Sequence, residues 1–281
     1  MMKLTAIGTS GSYPGPHSAA SCYLLQVEAD RTWNIVLDLG SGALGPLQRW
    51  ITHTDIDAIV LSHLHPDHCL DVTGLYVMHR YDPRFLEAGG HPNRLAVYGP
   101  AGTRERLTAA HHTEPGASPI PADSASGDLE QAFDFTDMRN GESFTVGPVT
   151  ITPHLVHHPV ETYAVRVEHA GAVFAYSGDS DACDNLTIAA RGADAFLCEA
   201  AFEDGRDTVR GIHLNGERAG CTAQEAGAQR LILTHIAPWT NAETVAAAAA
   251  HHYTGPIDLA VPDRTWEIRA QRTSEPVAAG A

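Results

Sequence analysis

No run of 18 apolar residues occurs anywhere in this 281-residue chain, and a helix that crosses a bilayer needs about 20. A membrane span is therefore not expected. Cysteine is scarce. Its five copies (Cys22, Cys69, Cys183, Cys198 and Cys221) are odd in number and never in C-x-x-C spacing, which excludes a disulfide framework or a thiolate zinc site and suits a reducing compartment. Positive charge is also scarce, with 18 Lys and Arg against 34 Asp and Glu, a net charge of −16. So acidic a surface repels a phosphate backbone, and nucleic acid is not an expected partner. Any anionic substrate would need a locally positive site, which a bound metal can supply. The opening stretch MMKLTAIGTSGSYPG has one Lys and no apolar core of signal-peptide length, so the expected location is the cytoplasm.

What remains is an ordinary globular mixture, 43% hydrophobic and 19% charged, long enough to bury a sizeable core. Short apolar runs read as strands at Lys3–Gly8, Ser21–Glu28, Asn34–Asp38, Ala58–Ser62, Leu95–Tyr98, Ser143–Val146, Val149–Pro153, Tyr163–Glu168, Val173–Tyr176, Ala195–Cys198, Leu231–Thr234 and Leu259–Val261. Helical spacing appears over Ala43–His53, after His68, near Ala101–Ala110, over Asn215–Ala226 and over Ala242–His251. The Pro/Ser/Gly/Ala-rich stretch 114–128 reads as a loop, and 274–281 as a frayed tail. The whole reads as one α/β domain over 1–281, with mixed sheets inside and helices outside.

Histidine is the abundant outlier, at 17 copies. Four candidate ligands stand together in Ser62-His63-Leu64-His65-Pro66-Asp67-His68, directly after the strand-like AIVLS. Imidazoles and a carboxylate without thiolate suit a hydrolytic site for a borderline divalent ion. Pro66 argues against a helix here, and a loop lets the ligands face more than one centre. Further ligands are expected at other strand ends: His157 or His158 before YAVRVE, Asp179 after FAYSG, and His235 after LILT.

These motifs in this order, with IGTSGSYPG, NIVLDLGSGA, HLHPDH, GDS and LTHI, resemble the metallo-β-lactamase superfamily. The resemblance spans nearly the whole chain. It implies an αββα sandwich of two mixed β-sheets flanked by helices, and a dinuclear site usually filled by zinc, with manganese or iron as alternatives. It places His63, His65 and His158 on the first metal, Asp67, His68 and His235 on the second, and Asp179 between them. His158 is preferred to His157 because it stands six residues before Ala164 in a segment resembling the family's His-x5-Gly pattern, and adjacent side chains point oppositely. Asp38 matches the family's early Asp, which orders the ligand loop through hydrogen bonds.

Leu197-Cys198-Glu199-Ala200-Ala201-Phe202 and Ile212-His213-Leu214-Asn215 resemble paired motifs of the tRNA 3′-processing (RNase Z) branch. That likeness assigns catalytic roles to His213, at the leaving group, and to Glu199, which orients it; Asp67 would steady the nucleophile. The long RNA-gripping arm of that branch has no room between His158 and Asp179, where one hairpin fits. AASCYLL, DLGSGALGPLQR, HPDHCLDVTGLYV, RYDP, HPVET and THIAPW most resemble an actinobacterial group of atypical cyclic-nucleotide phosphodiesterases. The expectation is a phosphodiesterase that cleaves a small phosphodiester such as cyclic AMP with a metal-bridged hydroxide, acting as a homodimer. The competing expectations are another hydrolase on the same site (arylsulfatase, lactonase), a tRNA-processing endonuclease, or a non-catalytic binding module. Trp239 is a candidate base-stacking or core residue. His79, Arg80 and Tyr81 are candidates for phosphate or partner contact. His111, His112, His251 and His252 are expected to face solvent, and Cys69 and Cys183 to pack.

Overall fold

The computed structural model describes residues 1–84, 93–112 and 129–270. The loop read over 114–128 and the tail read over 274–281 lie outside the described residues. Two sheets stack face to face. The first is built from β1 (Met2–Ser10), β2 (Ala19–Ala20), β3 (Cys22–Glu28), β4 (Thr32–Leu39), β5 (Ala58–Val60), β6 (Leu95–Gly99), β7 (Phe133–Asp137) and β15 (Thr265–Ile268), in the order β15-β1-β3-β4-β5-β6-β7 with β2 beside β1. The second holds β8 (Phe144–Val146), β9 (Val149–Leu155), β10 (Tyr163–His169), β11 (Ala172–Tyr176), β12 (Ala195–Glu199), β13 (Leu231–Thr234) and β14 (Ile257–Leu259), in the order β14-β13-β12-β11-β10-β9-β8. Helices α1 (Leu44–Leu47), α2 (Pro66–Cys69), α3 (Val72–Tyr81) and α4 (Thr103–His111) belong to the first half of the chain, and α5 (Asp184–Ala190), α6 (Gly216–Ala226) and α7 (Ala242–Ala250) to the second.

Central strands are apolar on both faces because both faces are covered. In β3 and β4, Tyr23, Leu25, Ile35 and Leu37 point between the sheets, where they join Val165, Phe174, Tyr176 and Leu197. Their neighbours Leu24 and Val36 point outward against Leu47, Val72, Leu75, Tyr76 and Leu107 of the first helical layer. In β12, Leu197 faces inward and Phe196 outward, onto Leu186, Ala219, Ala223 and Val245. Truncating one of these buried side chains to Ala costs about 2–5 kcal/mol. The outer layer of the second half is rich in Ala, and its helices sit close. A Cβ at Gly216 would come within 2.2 Å of the Val245 carbonyl oxygen, and one at Gly220 within 2.5 Å of that of Ala249. Strand order, sheets and outer helices together make the αββα sandwich of two mixed sheets that the resemblance implies.

Three readings are corrected. The helix expected over Ala43–His53 is only the single turn α1, followed by a 3-10 turn at His53–Asp55. Gly45-Pro46 and the β-branched Ile51-Thr52 give too little helical propensity to continue it, and Trp50 leaves the core to donate from Nε1 to Asp263 Oδ1 at 2.8 Å. Pro66 does not prevent a helix but opens α2. Its fixed φ and missing N–H suit the first helical position, where no hydrogen-bond donor is needed. The strand expected over Leu259–Val261 lies at Ile257–Leu259, and a further strand follows at Thr265–Ile268.

Candidate metal centre

The site gathers at the carboxyl ends of parallel strands, where open sheets leave a crevice. β4 delivers Asp38, β5 leads through Ser62 to His63, and β11 leads through Gly178 to Asp179. β12 ends on Glu199, and β13 leads to His235. Asp38 (φ 55°) and His235 (φ 55°) both hold left-handed backbone, a conformation costly for residues other than Gly and one that persists where surroundings impose it. The surroundings at Asp38 are on hand. Its fully buried carboxylate accepts from Ser62 N (2.7 Å), Ser62 Oγ (2.8 Å), Tyr176 OH (2.6 Å) and His68 Nδ1 (2.7 Å). These bonds fix His68 with Nε2 turned away from Asp38. Ser62 and Tyr176 carried no sequence signal beyond their place beside the ligand motifs.

Two pockets of ligand atoms result. His63, His65, His158 and Asp179 converge in one; Asp67, His68, Asp179 and His235 converge in the other, and Asp179 belongs to both. In the first, His65 Nδ1 lies 3.0 Å from His63 Nε2 and 3.3 Å from His158 Nε2. Nitrogens sharing one tetrahedral zinc lie about 3.3 Å apart, whereas the protons of a neutral trio cannot satisfy every pair. In the second, His68 Nε2 is 3.1 Å from His235 Nε2 and 3.2 Å from Asp179 Oδ1, and Asp67 Oδ2 is 3.2 Å from His235 Nε2. Asp179 Oδ1 is buried with no hydrogen-bond partner, an arrangement that costs free energy unless a cation meets it. The donor set, its spacing and this orphaned oxygen fit divalent metal ions, and the cluster is capable of binding them.

Electrostatics point the same way. Burial lowers the His63 pKa, with help from neighbouring His68, and burial also lowers those of His65 and His158. Their imidazoles are thus neutral and present lone pairs. Burial works against charge on Asp179, but the imidazoles of His235, His68 and His63 outweigh it and hold the carboxyl well below its usual range. Burial likewise opposes charge on Asp67, and hydrogen bonds from His235 and His68 overcome it.

His213 stands beside both pockets. Its ring centroid is 5.4 Å from that of His158 and 5.5 Å from that of His235. Nδ1 donates to Glu199 Oε1 at 2.9 Å. Glu199 is itself fully buried and fixed by Ser180 N (2.8 Å) and Ala201 N (3.0 Å). Burial pulls the His213 pKa down, but the Glu199 charge and hydrogen bond and nearby Asp179 carry it up to about 9. The imidazole is then protonated near neutrality, with Nε2 left to act on something else.

The other candidates fall differently. His158 joins the cluster and His157 does not; the latter is exposed and pairs through its backbone with Asp181. His79 is buried away from the site, with Nε2 on the Asn93 carbonyl oxygen (2.8 Å) and Nδ1 facing His53, and Arg80 Nε donates to Gln131 Oε1 at 2.9 Å. Both are thereby occupied inside the fold, which corrects the expected phosphate contact. Trp239 is 61% exposed and lies against Tyr13 at 5.1 Å between ring centroids, which excludes a core role. His112, His251 and His252 are exposed, while half-buried His111 packs on Tyr76 at 4.8 Å. Cys69 is buried among apolar side chains. No helix among the described residues is long and apolar enough to cross a membrane.

The chain is similar to known proteins. The beta-lactamase superfamily domain matches residues 33–236. An uncharacterized protein of Mycobacterium tuberculosis is 41% identical over 270 residues, covering 95% of this chain and 93% of that protein. The probable metallo-hydrolase YhfI of Bacillus subtilis is 30% identical over 269 residues, 95% of this chain and all of that protein. The crystal structure of YhfI superposes with a TM-score of 0.80 at 26% identity, over 94% of this chain and 98% of that one. The ribonuclease Z of Mycobacterium bovis is 27% identical over 298 residues, 97% of this chain and all of that enzyme.

Proposed function

The chain belongs to the metallo-β-lactamase superfamily, as a metallo-hydrolase related to YhfI and ribonuclease Z, and from that premise we propose that it is a phosphodiesterase acting on a small phosphodiester such as cyclic AMP. One observation carries the reading: the Glu199–His213 pair stands across from two metal-binding pockets that share a carboxylate. Carboxylate-bridged pockets serve hydrolysis in general; a buried, charged imidazole beside them serves the expulsion of a poor alkoxide leaving group.

In this reading His63, His65, His158 and Asp179 would hold one divalent ion, and Asp67, His68, His235 and Asp179 a second, with zinc the favoured metal. Bound there, the pair of ions supplies Lewis acidity and lowers the pKa of water toward neutrality. Asp67 Oδ takes the proton from the attacking water as its oxygen approaches phosphorus in line with the leaving oxygen. His213 Nε2 donates a proton, or a hydrogen bond, to the departing ribose oxygen, a contribution of about 10²–10⁴-fold. Glu199 keeps the imidazole charged and aimed. Asp38 holds the His68 tautomer, and so the second pocket, in register.

The small size of the substrate is supported by what lies between His158 and Asp179. That stretch is the β10–β11 hairpin, which leaves no room for an RNA-gripping arm, and the net charge of −16 disfavours folded RNA.

A substrate series tests the proposal: cyclic AMP, bis(p-nitrophenyl) phosphate, an aryl sulfate, homoserine lactone and precursor tRNA, each with zinc- and manganese-loaded protein. Cleavage of cyclic AMP is the expected leading activity. A lactone or sulfate ester cleaved faster than either phosphodiester overturns it, and cleavage of precursor tRNA at low enzyme concentration replaces it with RNA processing. His213→Ala is expected to lower turnover of cyclic AMP by about 10²-fold or more, with a far smaller loss on bis(p-nitrophenyl) phosphate, whose leaving group needs little protonation.

A further inference from the structure

His213 sits on a loop, and a loop holds a proton donor in place only if something fixes it on both sides. On the N-terminal side, Gly211 N donates to Asp181 Oδ2 at 2.8 Å and Arg210 Nε donates to the same oxygen at 2.6 Å. On the C-terminal side, Arg218 Nε lies 3.2 Å from Asp181 Oδ1, while Arg218 Nη2 donates to the His213 carbonyl oxygen at 2.8 Å. One carboxylate oxygen therefore holds the N-terminal flank of the His213 segment by hydrogen bonds, and the other meets the C-terminal flank through the charge of Arg218. Asp181 is 1% exposed and is pinned in turn, since its N–H donates to the His157 carbonyl oxygen at 2.8 Å and its Oδ1 accepts from Ala182 N at 2.8 Å. The neighbouring residue joins in: His158 Nδ1 donates to the Ile212 carbonyl oxygen at 2.8 Å. The approach is tight enough that a Cβ at Gly211 (φ 80°) would stand 3.2 Å from His157 Nε2.

We propose that Asp181 is a positioning residue, whose carboxylate clamps residues 210–218 and so sets where His213 stands relative to the two pockets. The proposal rests on the reading of His213 as proton donor to the leaving group. Asp181 lies two residues after Asp179, so the turn that supplies the shared ligand also supplies the clamp. Movement of that turn carries ligand and proton donor together. Arg210 illustrates the arrangement. Its side chain is 62% exposed, yet its Nε is committed to a buried acceptor, so the link anchors the loop and does not serve as a surface ion pair.

Asp181→Asn keeps the shape but turns an amide nitrogen, or a single neutral acceptor, toward the Arg210, Gly211, Ala182 and Arg218 N–H groups. Two measurements on the metal-loaded full chain test the clamp. Limited trypsin digestion, with cleavage after Arg210 quantified by mass spectrometry, is expected to speed up at least about tenfold in D181N as the segment opens locally. Turnover of cyclic AMP is expected to fall at least about tenfold while that of bis(p-nitrophenyl) phosphate stays within about threefold, with metal content and KM unchanged. R218A removes the C-terminal link only and gives the same pattern where D181N does not fold. Unchanged trypsin cleavage in the variants overturns the clamp, whatever the esters do. Faster cleavage with equal losses on both esters also overturns it, because Asp181 then serves the fold and not His213. If the wild-type chain cleaves neither ester, the phosphodiester reading fails by itself and the digestion alone decides whether the clamp exists.

Discussion

His65 and His158 line one pocket while half-buried, whereas Asp67, His68, Asp179 and His235, which form the other, are all buried. The pockets share Asp179 but differ in how they are held. Behind the buried one stands Asp38 with four donors, and Gly11 packs so closely on His235 that a Cβ there would lie 2.2 Å from its carbonyl oxygen. Behind the open one stand Ser62 Oγ, 3.1 Å from His63 Nδ1, and the Ile212 carbonyl oxygen that receives His158 Nδ1–H. The open pocket is thus made of three neutral imidazoles and the shared carboxylate, and its half-buried His65 and His158 turn it toward solvent. The buried pocket is made of two carboxylates and two imidazoles held by a buried hydrogen-bond network, where electrostatic interactions are strong. Under the proposed function the difference implies a division of labour: an ion in the open pocket would exchange and meet the ester, and one in the buried pocket would be retained.

Asp179→Ala removes the wall common to both pockets. It should empty both, with metal content by mass spectrometry falling toward zero and turnover dropping by at least about 10³-fold. Asp38→Asn acts directly on His68 of the buried pocket and reaches His63 of the open one only through Ser62. Chelator titration should show affinity for one ion weakened by about 10–100-fold, the range for outer-sphere partners of metal ligands, with the other unchanged; equal weakening of both would erase the distinction. Glu199→Gln should leave both ions in place and act on pH dependence. Glu199 raises the His213 pKa to about 9, so the protonated donor is lost as pH rises through that value. Removing the charge should move the alkaline limb of cyclic AMP turnover to lower pH by at least about one unit. The linked stability has the same sign. The pair stabilises the fold fully below about pH 6.5, and that contribution disappears as pH climbs through the raised value; urea midpoints at pH 6 and pH 10 should differ less in the Gln variant.

Much of this site was legible in the sequence because its chemistry is local. HLHPDH follows AIVLS without a gap, GD follows FAY, and His235 follows LILT, so each strand end announces its ligand. The Glu199 and His213 motifs were legible only through family resemblance. Elements that depend on distant pairing escaped. β7 (FDFTD) is an edge strand with polar, exposed positions, and β15 (TWEI) is only four residues long and pairs with β1 from the opposite end of the chain. Helix α5 is short, begins without a side-chain cap and follows a ligand motif that drew attention elsewhere. The Asp181 clamp was invisible for a similar reason: nothing in GDSD says that an Arg 37 positions later will reach back. Pro66 misled because its position, first in a helix instead of within one, decides its effect.

Each pocket draws on both sheets. His63, His65, Asp67 and His68 come from the first, and His158, Asp179 and His235 from the second. An ion seated in either one is therefore a bolt driven through the seam between two half-molecules. It can tighten only after those halves have docked, so loading should follow folding and raise the melting temperature by mass action. Neither half expressed alone would possess a complete socket.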